Sequence, residues 1–199
     1  MVNVGDKAPD FTLLDQDRKP VRLYDYVGKK NILLAFYFLD FTSVCTNEMC
    51  TFDKYLKEFE KLDAQVFGIS VDSPFSHKAF AEKYNISFPL LSDFNREVIH
   101  LYNVVHQEMF GFKNVGKRAI FIIDKKGIVR YKWVAEDPRN EPNYEDIISS
   151  SWEILKINIK CYNCSDYYQF YLLDSLKFIE KKYLDKDKYS KIVIIVKNE

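Results

Sequence analysis

Cys45 lies where a continuous apolar run, residues 32–38, gives way to an amphipathic segment. Apolar residues recur behind it at spacings of three and four, which predicts a helix from about Cys45 to Leu62, and the apolar run predicts a buried strand. Thr42, between the two, is a residue type that caps helices. The sequence therefore predicts a strand, a tight turn and a helix, with Cys45 in the first helical turn.

A cysteine in the first turn of a helix faces unpaired backbone N–H groups and the positive end of the helix dipole. Both features stabilise the thiolate, which is the nucleophilic form of cysteine. The ordinary alternative is a small buried hydrophobic residue, as most free cysteines are. The local pattern alone leaves a nucleophile and a structural residue about equally open.

The segment FYFLDFTSVCTNEMC resembles the active site of the peroxiredoxins, the thiol peroxidases of the alkyl hydroperoxide reductase C/thiol-specific antioxidant group. Their signature is Pro-x-x-x-Thr-x-x-Cys, and Thr42 and Cys45 fall on its last two positions. Glu48 matches a glutamate that often follows three residues later. The proline position holds Phe38, and in the family that proline shapes and shields the cysteine pocket.

A second segment, GKRAIFIIDKKGIVRY, resembles the arginine strand of the same family and places Arg118 on its catalytic arginine. Two motifs in the right order, about 70 residues apart, are more specific than either alone. Residues 3–148 resemble a peroxiredoxin of the bacterioferritin-comigratory-protein type.

The resemblance implies a thiol peroxidase that reduces hydrogen peroxide or small organic hydroperoxides. Cys45 would attack the peroxide, Thr42 would hold it, and Arg118 would stabilise the developing charge. Glu48 would orient the arginine. A thioredoxin-like dithiol protein or a low-molecular thiol would return the oxidised protein, and no metal, haem or flavin is implied.

Cys50 is the candidate for resolving oxidised Cys45, because Cys-x-x-x-x-Cys resembles the arrangement in some bacterioferritin-comigratory proteins. A sulfenic acid condenses with a second thiol to form a disulfide. Residues five apart in an intact helix have Cα atoms about 8.6 Å apart, whereas a disulfide tolerates about 7 Å. Bridging therefore requires residues 43–52 to unwind. The alternative is that Cys50 is a core residue of the helix.

Cys161 and Cys164 form a Cys-x-x-Cys pair in the C-terminal part of the chain. Such a pair is typical of half a zinc site or of a redox centre. No further Cys or His lies nearby to complete a zinc site, and no strand–turn–helix pattern surrounds the pair. Either thiol could resolve Cys45, but a pair of incidental thiols is the favoured interpretation.

Composition indicates an ordinary globular protein of 199 residues, with a formal net charge of zero. The absence of a basic bias argues against nucleic acid as a partner. No apolar run reaches the roughly 18 residues that a membrane span needs, and no secretory signal is visible at the N-terminus. We expect a cytoplasmic protein whose thiols cycle.

Periodicity predicts a hairpin, then strands alternating with helices, then a closing antiparallel hairpin, which indicates an α/β fold. The predicted strands are 10–15, 20–24, 32–38, 66–71, 88–91, 119–124 and 128–134, the further helices are 75–84 and 95–102, and 104–115 is predicted as a loop. The resemblance implies a thioredoxin-like fold with a central mixed sheet flanked by helices and an N-terminal hairpin. We expect one domain over residues 1–152, closed by a helix at 144–152, and a C-terminal extension over 153–199.

Two other functions stay open. A thioredoxin-fold disulfide oxidoreductase is disfavoured by the missing Cys-x-x-Cys at the helix start, and a non-enzymatic holdase or redox sensor is left open by Phe38. We expect a homodimer or higher homo-oligomer. Three histidines share no metal-ligand spacing and are interpreted as structural: His77, His100 and His106. Five phenylalanines could line the cysteine pocket or contribute to a dimer interface: Phe36, Phe38, Phe41, Phe110 and Phe112.

Overall fold

The computed structural model describes residues 2–148 of the chain. The predicted domain end at residue 152, the extension 153–199 and the thiols of Cys161 and Cys164 lie outside the described residues. Of the predicted closing helix, only residues 144–148 are described, and these are helical.

Besides the helical residues 144–148, the described chain contains nine strands, four α-helices and a short 3-10 helix, Leu23–Asp25. The strands are β1 Thr12–Asp15, β2 Pro20–Arg22, β3 Asn31–Phe36, β4 Ala64–Ser70, β5 Leu90–Ser92, β6 Val105–Met109, β7 Phe112–Gly116, β8 Ala119–Ile123 and β9 Val129–Val134. The helices are α1 Ser43–Lys54, α2 Leu56–Lys61, α3 Pro74–Tyr84 and α4 Glu97–Leu101.

Seven strands form one mixed sheet in the order β2-β1-β5-β4-β3-β8-β9. Strands β3, β4 and β5 are parallel to their neighbours in this group, whereas β1–β2, β1–β5, β3–β8 and β8–β9 pair antiparallel. This is the expected thioredoxin-like mixed sheet flanked by helices, and β1–β2 is the expected N-terminal hairpin.

The two strands nearest the catalytic candidates, β3 and β8, are buried along their whole length. A strand covered on both faces is apolar throughout, which explains the continuous runs ILLAF and AIFII. In their antiparallel register Phe36 pairs with Ala119. The carboxyl end of β3 therefore lies beside the amino end of β8, and the residue that precedes β8 is Arg118.

Two predictions about elements were wrong in detail. The helix expected from 45 to 62 is two helices, α1 and α2, separated at Tyr55. Residues 104–115, expected as a loop, contain the antiparallel hairpin β6–β7, with Met109 paired to Phe112. Its two turn residues, Phe110 and Gly111, both have positive φ (52° and 81°), as tight hairpin turns require. A phenylalanine in that conformation gives no turn signal in the sequence.

The β6–β7 hairpin packs directly on the chain that leaves β3. A Cβ atom at Gly116 would lie 2.9 Å from the carbonyl oxygen of Tyr37. Only glycine permits this approach, which brings the segment before Arg118 against the segment that leads to Cys45.

Candidate active site

Thr42 occupies the N-cap position of α1, with extended backbone angles. Its hydroxyl makes no capping bond and instead donates to the Leu39 carbonyl, at 2.9 Å. The hydroxyl hydrogen is therefore engaged within the loop, while the oxygen keeps its capacity to accept a hydrogen bond.

Cys45 is the third residue of α1, and it is 1% exposed. The structure thus places its sulfur in the first helical turn, beside the N–H groups that have no partner within the helix. The polar break before α1 and the apolar stripe behind it suffice to predict this position.

Arg118, which lies 73 residues further along the chain, contacts this sulfur. Its Nη2 donates to Cys45 Sγ at 3.5 Å and to the Pro138 carbonyl at 3.3 Å, and its Nη1 donates to Glu48. The guanidinium is 3% exposed. The structure therefore brings Cys45, Glu48 and Arg118 together in one buried cluster.

Glu48 lies one turn beyond Cys45 on α1 and is fully buried. Burial raises the pKa of its carboxyl from 4.5 to about 8, although the charge and hydrogen bond of Arg118 oppose the shift. For Arg118, burial opposes the charged form, but Glu48 and Cys45 raise its pKa above the ordinary arginine value.

Two atoms with unused hydrogen-bonding capacity, Glu48 Oε1 and Arg118 Nε, belong to this cluster. Across residues 2–148, the buried side-chain polar atoms without a hydrogen-bond partner are Thr46 Oγ1, Glu48 Oε1 and Arg118 Nε. Buried polar atoms are usually paired, so the two atoms of the cluster call for an explanation. A polar substrate that binds at the cluster would supply one.

Cys50 lies on the same intact helix as Cys45 and is partly exposed. Burial raises the pKa of the Cys50 thiol, and Lys54 opposes that shift. Both cysteines are free thiols. The structure therefore describes the reduced state, in which α1 keeps the two sulfurs on different sides of the helix.

Phe38, which stands at the family's proline position, is 8% exposed. Its ring packs edge-to-face on Phe110 and Phe112, with centroids 6.0 Å away in both cases. Phe36 belongs to the core, and Phe41 packs on Phe80 of α3. The five phenylalanines singled out in the sequence therefore do not form one wall.

His77 is buried and its ring lies 3.0 Å from the Asp40 carboxylate. Asp40 was not singled out in the sequence, although it stands in the polar break before Cys45. His100 is on α4 and His106 is on β6. Within the described part of the chain, no group of three or more His, Cys, Asp and Glu side chains could hold a metal ion. None of the helices in residues 2–148 has both the length and the apolar character needed to cross a membrane.

The fold is a thioredoxin-like sheet, and its site places a buried cysteine in the first turn of a helix beside an arginine. These features define a class of thiol proteins, and comparison with known proteins identifies the family. The model of the AhpC/TSA family matches residues 4–132, which include Thr42, Cys45, Glu48 and Arg118. The chain belongs to this family, the peroxiredoxins.

Three curated relatives illustrate the similarity. A chloroplastic 2-cysteine peroxiredoxin of Chattonella marina var. antiqua is 41% identical over 143 residues, which are 67% of this chain and 71% of the relative. Alkyl hydroperoxide reductase E of Mycobacterium bovis is 41% identical over 133 residues, 66% of this chain and 84% of the relative. A chloroplastic 2-Cys peroxiredoxin of Spinacia oleracea is 38% identical to this chain, which spans about half (52%) of that relative's length.

Solved structures show the same fold. Peroxidoxin BcpB of Mycobacterium tuberculosis matches 76% of this chain and 97% of its own length, with a TM-score of 0.68 and 30% identity. The reduced 2-Cys peroxiredoxin of Plasmodium vivax matches 76% of this chain and 95% of its own, with a TM-score of 0.68 and 33% identity.

Proposed function

We propose that this protein is a thiol-dependent peroxidase that reduces hydrogen peroxide or small organic hydroperoxides, with Cys45 as the nucleophile. The observation that carries the proposal is the position of Cys45 Sγ, in the first turn of α1 and 3.5 Å from Arg118 Nη2. Membership of the peroxiredoxin family supports it.

In the reaction, the Cys45 thiolate attacks one oxygen of the peroxide. A sulfur–oxygen bond forms as the oxygen–oxygen bond breaks, and the second oxygen leaves as water or an alcohol after it takes up a proton. The sulfur is oxidised by two electrons to a sulfenic acid. The Arg118 guanidinium and the N–H groups of the first turn of α1 stabilise the charge that moves onto the oxygens.

Thr42 holds the peroxide by accepting a hydrogen bond from it. The Thr42 hydroxyl already donates its hydrogen to the Leu39 carbonyl. Its oxygen can therefore only accept a hydrogen bond from the peroxide. Glu48 fixes Arg118 by occupying Nη1, which leaves Nη2 to the sulfur and the Pro138 carbonyl.

Cys50 is the proposed resolving residue, and a thioredoxin-like dithiol protein or another thiol is the proposed reductant. The support for Cys50 is its place on α1, the helix that carries Cys45. Formation of the Cys45–Cys50 disulfide needs α1 to unwind, because an intact helix holds Cα atoms five residues apart beyond disulfide reach.

We further propose a homodimer or higher homo-oligomer in the cytoplasm. The exposed rings of Phe110 and Phe112, 75% and 52% accessible, support association because contact with a second copy would remove them from water. The cytoplasm suits a protein whose cysteines cycle between thiol and disulfide.

The test is the consumption of one equivalent of hydrogen peroxide in a stopped-flow instrument. Cys45→Ser should abolish the reaction, while the matched variant Cys50→Ser should keep the first oxidation, because Cys50 acts only after the sulfenic acid has formed. Wild-type consumption of peroxide by Cys45→Ser would refute the proposal. Reduction of insulin disulfides without peroxide turnover would instead identify a disulfide oxidoreductase.

A further inference from the structure

We propose that Asp40 and His77 are positioning residues for the peroxidase reaction: their buried pair fixes the loop 37–42 on α3 and thereby sets the place of Thr42 beside Cys45. The inference rests on the proposed function and adds two residues to it. Both residues act through Thr42, and neither is proposed to contact the substrate.

The Asp40 carboxylate is the centre of a buried hydrogen-bond network. It accepts from the Tyr37 hydroxyl at 2.7 Å, the Ser76 hydroxyl at 2.7 Å and His77 Nδ1 at 3.0 Å. Its backbone N–H donates to the Asp72 carboxylate at 2.9 Å. The Asp40 side chain is 1% exposed, so its carboxylate is shielded from bulk water. Three donors from two segments therefore hold one residue of the active-site loop.

His77 completes the network from α3. Its Nε2 lies 3.2 Å from the carbonyl oxygen of Leu91, which can only accept, and its Nδ1 faces the Asp40 carboxylate. The ring therefore connects the Asp40 carboxylate to the backbone of β5, which contains Leu91. Both side chains are buried, so removal of either partner leaves polar atoms of the other without a hydrogen bond.

The loop has a conformation that needs such support. Phe41, between Asp40 and Thr42, has a φ of 60°, a left-handed value that aromatic residues rarely adopt. Its ring packs on Phe80 of α3 with centroids 5.1 Å apart, and Tyr37 stacks on the same ring. Polar contacts and ring contacts therefore fasten the loop to one helix, and surroundings of this kind are what preserve strained backbone at functional sites.

The place of Thr42 follows from that of the loop. Thr42 comes directly after the strained residue, and its hydroxyl is tied to the Leu39 carbonyl within the same loop. A shift of Asp40 would move the oxygen that accepts from the peroxide. Because the loop joins α1 only at its first residue, Cys45 can remain in place on the helix, and the two catalytic groups would lose their alignment.

The proposal predicts different effects on two reactions of Cys45, the attack on hydrogen peroxide and the alkylation by iodoacetamide. Attack on hydrogen peroxide needs Thr42 in place, whereas alkylation of Cys45 by iodoacetamide needs only the thiolate. In Asp40→Asn, we expect the rate constant for peroxide to fall about 100-fold, as for a reacting geometry displaced by roughly 1 Å. The alkylation rate constant should stay within about twofold of wild type, because the thiolate is stabilised by other groups.

Asp124→Asn is the matched control. Asp124 is also buried, and it accepts from the backbone N–H groups of Lys126 and Ile128 and from Arg130 Nε. It follows the carboxyl end of β8, which pairs with the amino end of β3, away from the loop. This variant should keep both rate constants.

Two milder variants cover the case in which Asp40→Asn does not fold. Tyr37→Phe and Ser76→Ala each remove one donor to Asp40, and each should slow the peroxide reaction about tenfold with alkylation unchanged. Wild-type peroxide rates in the folded variants would overturn the proposal, and so would an equal fall in both rates. A wild-type protein that fails to oxidise Cys45 at all would instead show that the proposed function is wrong.

Discussion

Arg118 donates to two side chains on one helix, Glu48 and Cys45, and also to the Pro138 carbonyl. Nη1 goes to Glu48, and Nη2 goes to Cys45. A planar guanidinium can make both bonds at once, whereas the ammonium group of lysine is a point charge on a flexible chain. The requirement at this position is therefore for the fork of arginine as well as for its charge.

Replacement of the arginine by lysine tests this requirement. In Arg118→Lys, we expect the rate constant for peroxide to fall about 100-fold, because the fixed donor to the sulfur and the reacting oxygen is lost. Stopped-flow oxidation of Cys45 measures it. Arg130→Lys is the control, since Arg130 pairs with Asp124 on the surface-facing side of β9 at 2.7 Å. Equal rates for Arg118→Lys and wild type would show that charge alone suffices.

The burial of Glu48 predicts that the free energy of unfolding depends on pH. Because the pKa of Glu48 is raised from 4.5 to about 8 in the folded protein, the folded state binds a proton that the unfolded chain releases. Its contribution to the free energy of unfolding is complete below pH 4.5 and is lost as the pH rises through about 8. The loss is on the order of a few kcal/mol.

Urea unfolding between pH 5 and pH 9 provides the measurement. Glu48→Gln should flatten this part of the stability profile, because glutamine does not titrate. Glu60→Gln, at an exposed position of α2, should leave the profile unchanged. Parallel profiles for wild type and Glu48→Gln would contradict the prediction.

Helix α1 has two tasks that conflict. It must stay intact to present Cys45 to the arginine, and it must open if Cys50 is to reach the sulfenic acid. Contacts with the chain after β9 hold it closed: Asn47 donates to Glu141 at 2.7 Å, and the ring of Tyr144 packs on Phe52. The opening of α1 therefore has to break these contacts as well as the helix itself.

Hydrogen exchange of the α1 amides measures this opening. After one equivalent of peroxide, we expect amides of Ser43–Lys54 to exchange at least tenfold faster, because the disulfide cannot form across an intact helix. The amides of β3 and β8 serve as internal references and should keep their protection. In Cys50→Ser, α1 should remain protected after oxidation. A Cys45–Cys50 disulfide with fully protected α1 would contradict the prediction.

Among the described residues, the exposed aromatic rings include two at the β6–β7 hairpin, Phe110 and Phe112. Phe110 lies in the β6–β7 turn and Phe112 directly follows the turn, and both pack on Phe38 of the loop 37–42. Burial of such rings between copies would stabilise an oligomer.

Sedimentation velocity tests whether these rings lie in an interface. Phe110→Asp should lower the fraction of oligomer at a given concentration, because association would bury an unpaired charge. Val4→Asp changes another exposed apolar residue, 59% accessible, and should leave the sedimentation unchanged. A wild-type protein that sediments as a monomer at every concentration would contradict the prediction.

Local patterns in the sequence were enough to predict most elements that surround the cysteine. The apolar run of β3, the polar break and the stripe of α1 are each encoded within a few residues, because strand burial and helix periodicity are local properties. The β6–β7 hairpin escaped prediction because its turn uses Phe110, a residue type without turn preference, in a left-handed conformation.

What the sequence by itself determined is the place of Cys45 at a helix start and, through the resemblance of two motifs, a set of four residues for one site. What only the tertiary structure decided is how these residues meet: Arg118 reaches the sulfur because the register of β3 with β8 pairs Phe36 with Ala119. Strand pairing and the Asp40–His77 contact join segments far apart in the chain. Periodicity records which face of an element is buried, but it does not record which element covers that face.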